Sequence, residues 1–100
     1  MHVISKKSLE VFWLKHPAAR VPLEAWYRLV AQSEFDDFLW IKKTFNSADY
    51  VQPFTIFDIA GNNFRVVSVI HFNRQKLYIR GVFTHSEYDR WSKANRSKKS

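Results

Sequence analysis

FRVVSVIHFNRQKLYIRGVFTHSEYDRW, residues 64–91, decides how this chain folds. Phe64 to Phe72 is a valine- and isoleucine-rich run of strand character. NRQK at 73–76 reads as a turn, and LYIRGVF from Leu77 to Phe83 as the returning strand. THSE at 84–87 is a capping box, with Thr84 as N-cap and Glu87 three residues on. A helix is therefore predicted from His85 to about Asn95, with Tyr88 and Trp91 on one side.

Upstream, QPFTIFDI at 52–59 is a further strand, and Pro53 marks its start or an edge. The turn AGNN, Ala60 to Asn63, joins it to the strand at Phe64, because glycine and asparagine both tolerate positive φ. The first half of the chain is helical. HVIS at His2–Ser5 is short and apolar enough for a strand, and Ser5 is placed to cap a helix over about Lys6–His16. Leu9, Phe12, Trp13 and His16 repeat at i, i+3, i+4, i+7, until Pro17 ends the helix. Leu23, Trp26, Tyr27 and Val30 repeat the spacing in a second helix that starts near Ala18–Val21 and tolerates Pro22 in its first turn. Asp37 is placed to cap a short third helix, FLWIKKTF. The aromatics of these stripes read as core. Helices first and strands second predict an α+β fold: a small, antiparallel-rich sheet packed against an N-terminal helical hairpin, with a short C-terminal helix.

One hundred residues, 46% of them hydrophobic, predict a single domain over 1–100 with a real core. Residues 95–100 read as a flexible basic tail. The absence of cysteine excludes disulfides and thiolate metal sites and suits a reducing compartment. No signal-peptide pattern or long apolar stretch is visible, which predicts a soluble, cytoplasmic protein with no membrane partner. The net charge of +7 favours a polyanionic partner. Between Ile59 and Ser86 there is no acid, while Arg65, Arg74, Lys76 and Arg80 are all present.

Strand parity sharpens this. With an even loop and simple register, Arg65, Val67, Val69 and His71 share a face with Tyr78, Arg80, Val82 and Thr84. Phe64, Val66, Ser68, Ile70, Phe72, Leu77, Ile79, Gly81 and Phe83 form the opposite, helix-facing side. A bulge would scramble the assignment. Across AGNN, Asp58 falls beside Arg65, so an ion pair is the structural reading of that arginine. Arg80 has no such neighbour and reads as an anion ligand. His85 at the first helical position lies among free N–H groups and a positive dipole end, which suit a phosphate. The same field, with Arg80 near, predicts a neutral imidazole able to accept a proton. Tyr88 lies one turn on, either as a partner of His85 or as a core wedge. His2, His16, His71 and His85 have no metal-ligand spacing, the carboxylates form no cluster, and AGNNF lacks the lysine of a P-loop. No metal or cofactor is expected. What remains is a basic site with the means to cut RNA, whose own 2′-OH is the nucleophile.

GNNFRVVSVIHF, LYIRGVFTHSEYD and Trp91, with MHVISKKSLEVFWLKHP and PLEAWYR before them, make the chain resemble the HigB-type toxins of bacterial toxin–antitoxin systems, in the RelE superfamily. The resemblance covers nearly the whole chain. It implies a compact RelE-like fold and a metal-independent endoribonuclease, an mRNA interferase that cuts messages on the ribosome. It also implies a cognate HigA-like antitoxin, a helix-turn-helix protein through which alone operator DNA is bound. Arg65, Arg80, His85 and Tyr88 match the family's polar site. Lys42, Lys43, Arg74, Lys76, Arg90 and Lys93 are expected as RNA contacts. Two departures stand out. AGN replaces the usual GGN, which matters little if Gly61 takes the left-handed position, and Asp58 stands where related chains often have asparagine. The alternatives are a basic RNA-binding module without turnover, or an inactive paralogue that only binds its antitoxin.

Overall fold

The computed structural model describes residues 1–97. In chain order these form β1 (His2–Ile4), α1 (Lys6–Lys15), a 3-10 turn (Pro17–Ala19), α2 (Arg20–Gln32), α3 (Phe38–Thr44), β2 (Asp49–Val51), β3 (Phe54–Ile59), β4 (Phe64–His71), a second 3-10 turn (Phe72–Arg74), β5 (Lys76–Thr84) and α4 (His85–Ser97). The sheet order is β1-β5-β4-β3-β2, with β1 parallel to β5 and every other pair antiparallel. The α+β expectation holds.

The local signals act largely as read. Asp37 caps α3, its carboxylate accepting from the Trp40 N–H at 3.2 Å. Ser5 stands at the α1 N-cap with extended backbone, but its side chain makes no capping bond, and its carbonyl accepts from Ser8 N–H instead. After Pro17 the chain makes a 3-10 turn before α2. The strand β2 was not anticipated: three residues are too few for a periodic signal. It pairs with β3 through the two-residue turn Gln52–Pro53, so Pro53 sits where no ladder bond is needed. The last helix continues to Ser97 rather than stopping near Asn95, and the side-chain amide of Asn95 donates to the Trp91 carbonyl. The remainder of the expected tail, 98–100, lies outside the described residues.

The helices α1, α2 and α3 bury one side of the sheet. Leu9, Leu23, Val30, Ile41, Phe57, Val66 and Leu77 lie in this main core. Phe57 is its aromatic centre, met edge-on by Trp26 at 5.2 Å and Phe45 at 5.1 Å. Burial of a side chain of this size contributes about 1.5–3 kcal/mol. The other side carries a smaller cluster: Val51, Ile56 and Val67, packed by Phe54, Phe83, Tyr88 and Trp91. Thus α4 folds back over the sheet face opposite the helical hairpin.

The register of β4 on β5 corrects the expected division of faces. The loop is even, with His71 paired to Lys76, and the pairing runs as expected to Ser68 opposite Ile79. It then shifts, Val67 facing Gly81, which leaves Arg80 as the extra residue of a β-bulge. Beyond the bulge every side chain of β5 changes side. Gly81 and Phe83, expected toward the helices, share the Arg65 face, whereas Val82, expected on that face, packs on the main core. Thr84 likewise moves to the Phe64 side. Gly81 leaves room for Phe83: a Cβ there would stand 2.5 Å from the Phe83 ring.

Candidate active site

Three pieces of chain meet where β3 ends, β4 begins and α4 starts. The turn between the strands is Ala60–Asn63. Ala60 (φ 54°) and Gly61 (φ 66°) both take the left-handed conformation. Gly61 thus takes the expected left-handed position, and Ala60, which was not singled out, takes it too and bears the steric cost its Cβ imposes there. This shape aims the main chain of Asn62 inward.

Arg65 is 7% exposed and fully engaged. Its Nε donates to Asp58 Oδ1 at 2.9 Å, the cross-strand pair that the register predicts. Nη1 donates to the carbonyls of Asn62 (3.0 Å) and Phe64 (3.1 Å), and Nη2 to the Asn62 side-chain carbonyl. The guanidinium also lies 5.2 Å from the centre of the Tyr88 ring. These partners occupy all three guanidinium nitrogens. Arg65 fixes the AGNN turn and the α4 ring above it, with four of its five N–H groups committed to these partners.

The capping box forms: Thr84 N–H donates to Glu87 Oε1 at 2.8 Å, and Glu87 N–H to Thr84 Oγ1 at 3.3 Å. The Thr84 backbone bond holds the Glu87 carboxyl below the usual glutamate range, against the opposing effect of burial. His85 follows at the first helical position, its N–H on the Asn63 carbonyl at 3.0 Å. Its Nδ1 lies 3.1 Å from the Asn62 carbonyl and its Nε2 lies 3.4 Å from Asp89 Oδ2. A carbonyl only accepts, so Nδ1 must carry a proton to make this bond, and Nε2 is left as the nitrogen that can exchange one. The sequence placed only cations and a helix dipole around this ring. The fold adds two acceptor oxygens.

Tyr88 stacks on Trp91 with ring centres 5.8 Å apart and belongs to the smaller apolar cluster. The wedge reading therefore describes its ring, which at the same time covers Arg65. Arg80 is exposed, with its guanidinium 5.8 Å from the Tyr78 ring centre. The Tyr78 ring also meets His71 edge-on at 5.3 Å. No carboxylate pairs with Arg80 among the described residues. Four strand residues, a rise of about 16 Å over five steps, separate it from His85. The sequence thus grouped four site residues, of which the fold brings Arg65, His85 and Tyr88 into one network and leaves Arg80 a short distance along the same strand.

Two members of the network escaped sequence reading, and a third, Asp58, was placed correctly beside Arg65. Asn62 looked like a turn former, yet its carbonyl holds both Arg65 and His85. Asp89 reaches His85 at i+4, a spacing that could have been noticed. The expected RNA contacts are dispersed. Lys42 and Lys43 lie on α3, where Lys42 Nζ donates to the Ala48 carbonyl at 2.7 Å and Lys43 lies 4.6 Å over the Trp40 ring. Arg74 is exposed in the second 3-10 turn, Lys76 is opposite His71, and Arg90 and Lys93 are exposed on α4. Among the described residues, no three His, Cys, Asp or Glu side chains converge as metal ligands.

A small mixed sheet with Arg65 and His85 brought together at the α4 N-terminus, on a chain of net charge +7, defines the class structurally. Comparison with known proteins makes the class specific. Residues 19–91 match the HigB toxin family, described as the RelE-like toxic component of a toxin–antitoxin system, and the chain belongs to that family. It is similar to the mRNA interferase toxin HigB of Escherichia coli (strain K12), 36% identical over 101 residues that cover 98% of this chain and 97% of the relative. The mRNA interferase HigB of Shigella flexneri matches to the same extent. That of Escherichia coli O6:H1 (strain CFT073) is 28% identical over 102 residues, 99% of each chain.

Proposed function

We propose that this HigB-family toxin is an endoribonuclease that cuts messenger RNA while it is engaged on the ribosome, without a metal ion. The relatives are named mRNA interferases, and the side chains at the α4 junction suit that reaction. The observation that carries the reading is the imidazole of His85, held through Nδ1 by the Asn62 carbonyl, with Nε2 half exposed beside Asp89.

In this scheme the RNA supplies its own nucleophile. Nε2 of His85 takes the proton of a 2′-OH as that oxygen attacks the adjacent phosphorus; the bond to the 5′-oxygen breaks, leaving a 2′,3′-cyclic phosphate and a 5′-hydroxyl protonated from water, and the imidazolium later returns its proton to solvent. Asp89 then stabilises the imidazolium. The Asn62 carbonyl orients the ring, the part that a carboxylate plays in hydrolase triads. Charge accumulating on the phosphate is met by the field of Arg65, which positions the turn, and by the α4 dipole; the expected free N–H groups do not contribute at His85 and Glu87, whose N–H groups are held by the Asn63 carbonyl and Thr84 Oγ1. Arg80, exposed and without a carboxylate, binds the RNA backbone beside the reacting phosphate. The Tyr88 ring keeps Arg65 and α4 in place. Arg74, Lys76, Arg90 and Lys93 supply phosphate contacts, with Lys43 more remote. The metal-free reading rests on the donor chemistry: a base, cations and a helix dipole suffice for 2′-OH attack.

The partner is a HigA-like helix-turn-helix antitoxin, through which operator DNA is reached, and the site of action is the cytoplasm. No helix among the described residues is long and apolar enough to cross a membrane.

Primer extension on a translated message, with and without the induced protein, tests this directly. Wild type should give new 5′ ends within the reading frame, and His85→Gln should lower the cleavage rate by about a hundredfold or more. Arg80→Ala should abolish cleavage while its melting temperature stays at the wild-type value. Undiminished cutting by His85→Gln would remove the histidine from the chemistry. If wild type binds message but yields no new ends, the RNA-binding alternative takes over.

A further inference from the structure

The sheet face opposite the helical hairpin is covered by α4 over only part of its extent. The apolar side of α4 packs with Val51, Ile56 and Val67. Nearer the turn at 72–75 the register sets three strands side by side: Val69 is opposite Tyr78, and Tyr78 is beside Ile4. Their chain neighbours Ile70, Leu77 and Val3 belong to the main core, so alternation turns the row Val69–Tyr78–Ile4 to the other face. The row is half-buried and joins neither apolar cluster. Two residues along the strands, His71 is opposite Lys76 and Lys76 is beside His2, with both histidines exposed.

Arg80 stands on the other border of the row, and its guanidinium reaches the Tyr78 ring at 5.8 Å. That distance is close to the limit of about 6 Å for a cation–π contact, so the guanidinium leaves the ring readily for a phosphate. His71 meets the same ring edge-on at 5.3 Å. Lys76, Tyr78 and Arg80 thus place a ring between two cations along one strand, with side chains about 6.6 Å apart. No acid occurs between Ile59 and Ser86 to neutralise them. An extended polynucleotide alternates phosphate and flat base, and this face alternates cation and ring.

We infer that Tyr78 is a base-stacking subsite, holding a nucleobase of the message a few nucleotides from the bond that is cut. Lys76 and Arg80 take the phosphates on either side, and His2 and His71 border the base. From Tyr78 the strand leads to His85, a rise of about 23 Å over seven steps, so one RNA strand runs from the subsite to the cleavage site. The inference rests on the reading that this protein cuts messenger RNA.

Fluorescence anisotropy with a short single-stranded oligonucleotide of 2′-O-methyl sugars, which has no attacking hydroxyl, tests it. Tyr78→Leu keeps an apolar side chain on the sheet and removes the ring. It should bind at least about fivefold more weakly, while Tyr78→Phe binds as wild type. An abasic site moved along the oligonucleotide should cost wild type the same factor at one position and cost Tyr78→Leu nothing there, a coupling that partial unfolding would not produce. The slope of affinity against salt should be unchanged in Tyr78→Leu and about one unit smaller in Lys76→Gln. Equal affinity of Tyr78→Leu and wild type, or a loss tied to no position, would overturn the subsite; cutting of translated message by wild type would then leave the cleavage reading intact. Weaker binding of the antitoxin, and not of the oligonucleotide, by Tyr78→Leu would assign the face to protein and overturn the subsite too. Wild type that neither binds the oligonucleotide nor cuts message would overturn both readings.

Discussion

Replacement of Arg65 by alanine separates a tether from a phosphate ligand. The guanidinium bonds to one carboxylate, two main-chain carbonyls and one carboxamide, and its side chain is only 9% exposed. Removal of one partner from a buried ion pair costs about 3–5 kcal/mol, because the other charge is stranded. Asp58 is 28% exposed and regains some water, which places its share at about 2 kcal/mol. The carbonyls of Asn62 and Phe64 add about 1 kcal/mol together, since the turn is open to solvent. Arg65→Ala should therefore lose about 3 kcal/mol, a fall in melting temperature of roughly 12–24 °C for a domain of this size. Urea denaturation and thermal melts measure it. Asp58→Asn in the Arg65→Ala background should recover part of the loss, because the stranded charge is gone. The reasoning is refuted if Arg65→Ala melts within a few degrees of wild type yet cuts no RNA. Arg65 would then be a direct ligand of the phosphate.

Tyr88→Phe keeps the ring that covers Arg65 and stacks on Trp91, so stability and cleavage should both stay near wild type. Tyr88→Ala should lose several degrees of melting temperature, and a large rate loss in the phenylalanine variant would give the hydroxyl a chemical part. Ala60→Gly relieves a left-handed alanine and should stabilise the protein by about 0.5–1 kcal/mol, read as a higher urea midpoint; a lower midpoint would contradict the turn geometry. Glu87 has a depressed carboxyl pKa, so its contribution is complete above the ordinary glutamate range and is lost as pH falls through the lowered value. Glu87→Gln should flatten the fall of melting temperature between about pH 5 and 3, and an unchanged pH profile would show that the capping box contributes nothing to it.

The order of the elements other than β2, the capping box at Thr84 and Glu87, the Asp37 cap and the Asp58–Arg65 pairing were legible in the chain. Each depends on residues a few positions apart, or on a tight turn that fixes register locally. The resemblance to HigB toxins was legible for the same reason, since its motifs are contiguous. The bulge at Arg80 was not. No residue type there demands it, and it arises from fitting Val82 into the main core while Phe83 packs under α4. That one extra residue moves Phe83 to the Arg65 face and turns Val82 away from it. Half of the environment of His85 was equally hidden, because Asn62 lies far away in sequence, whereas Asp89 at i+4 on the same helix was within reach of a local reading. Composition set the positive charge and local pattern set the strands. Which cations stay free was decided by long-range packing: Arg65 is enclosed by partners that only the folded turn assembles, and Arg80 is left exposed where the sheet runs out of neighbours.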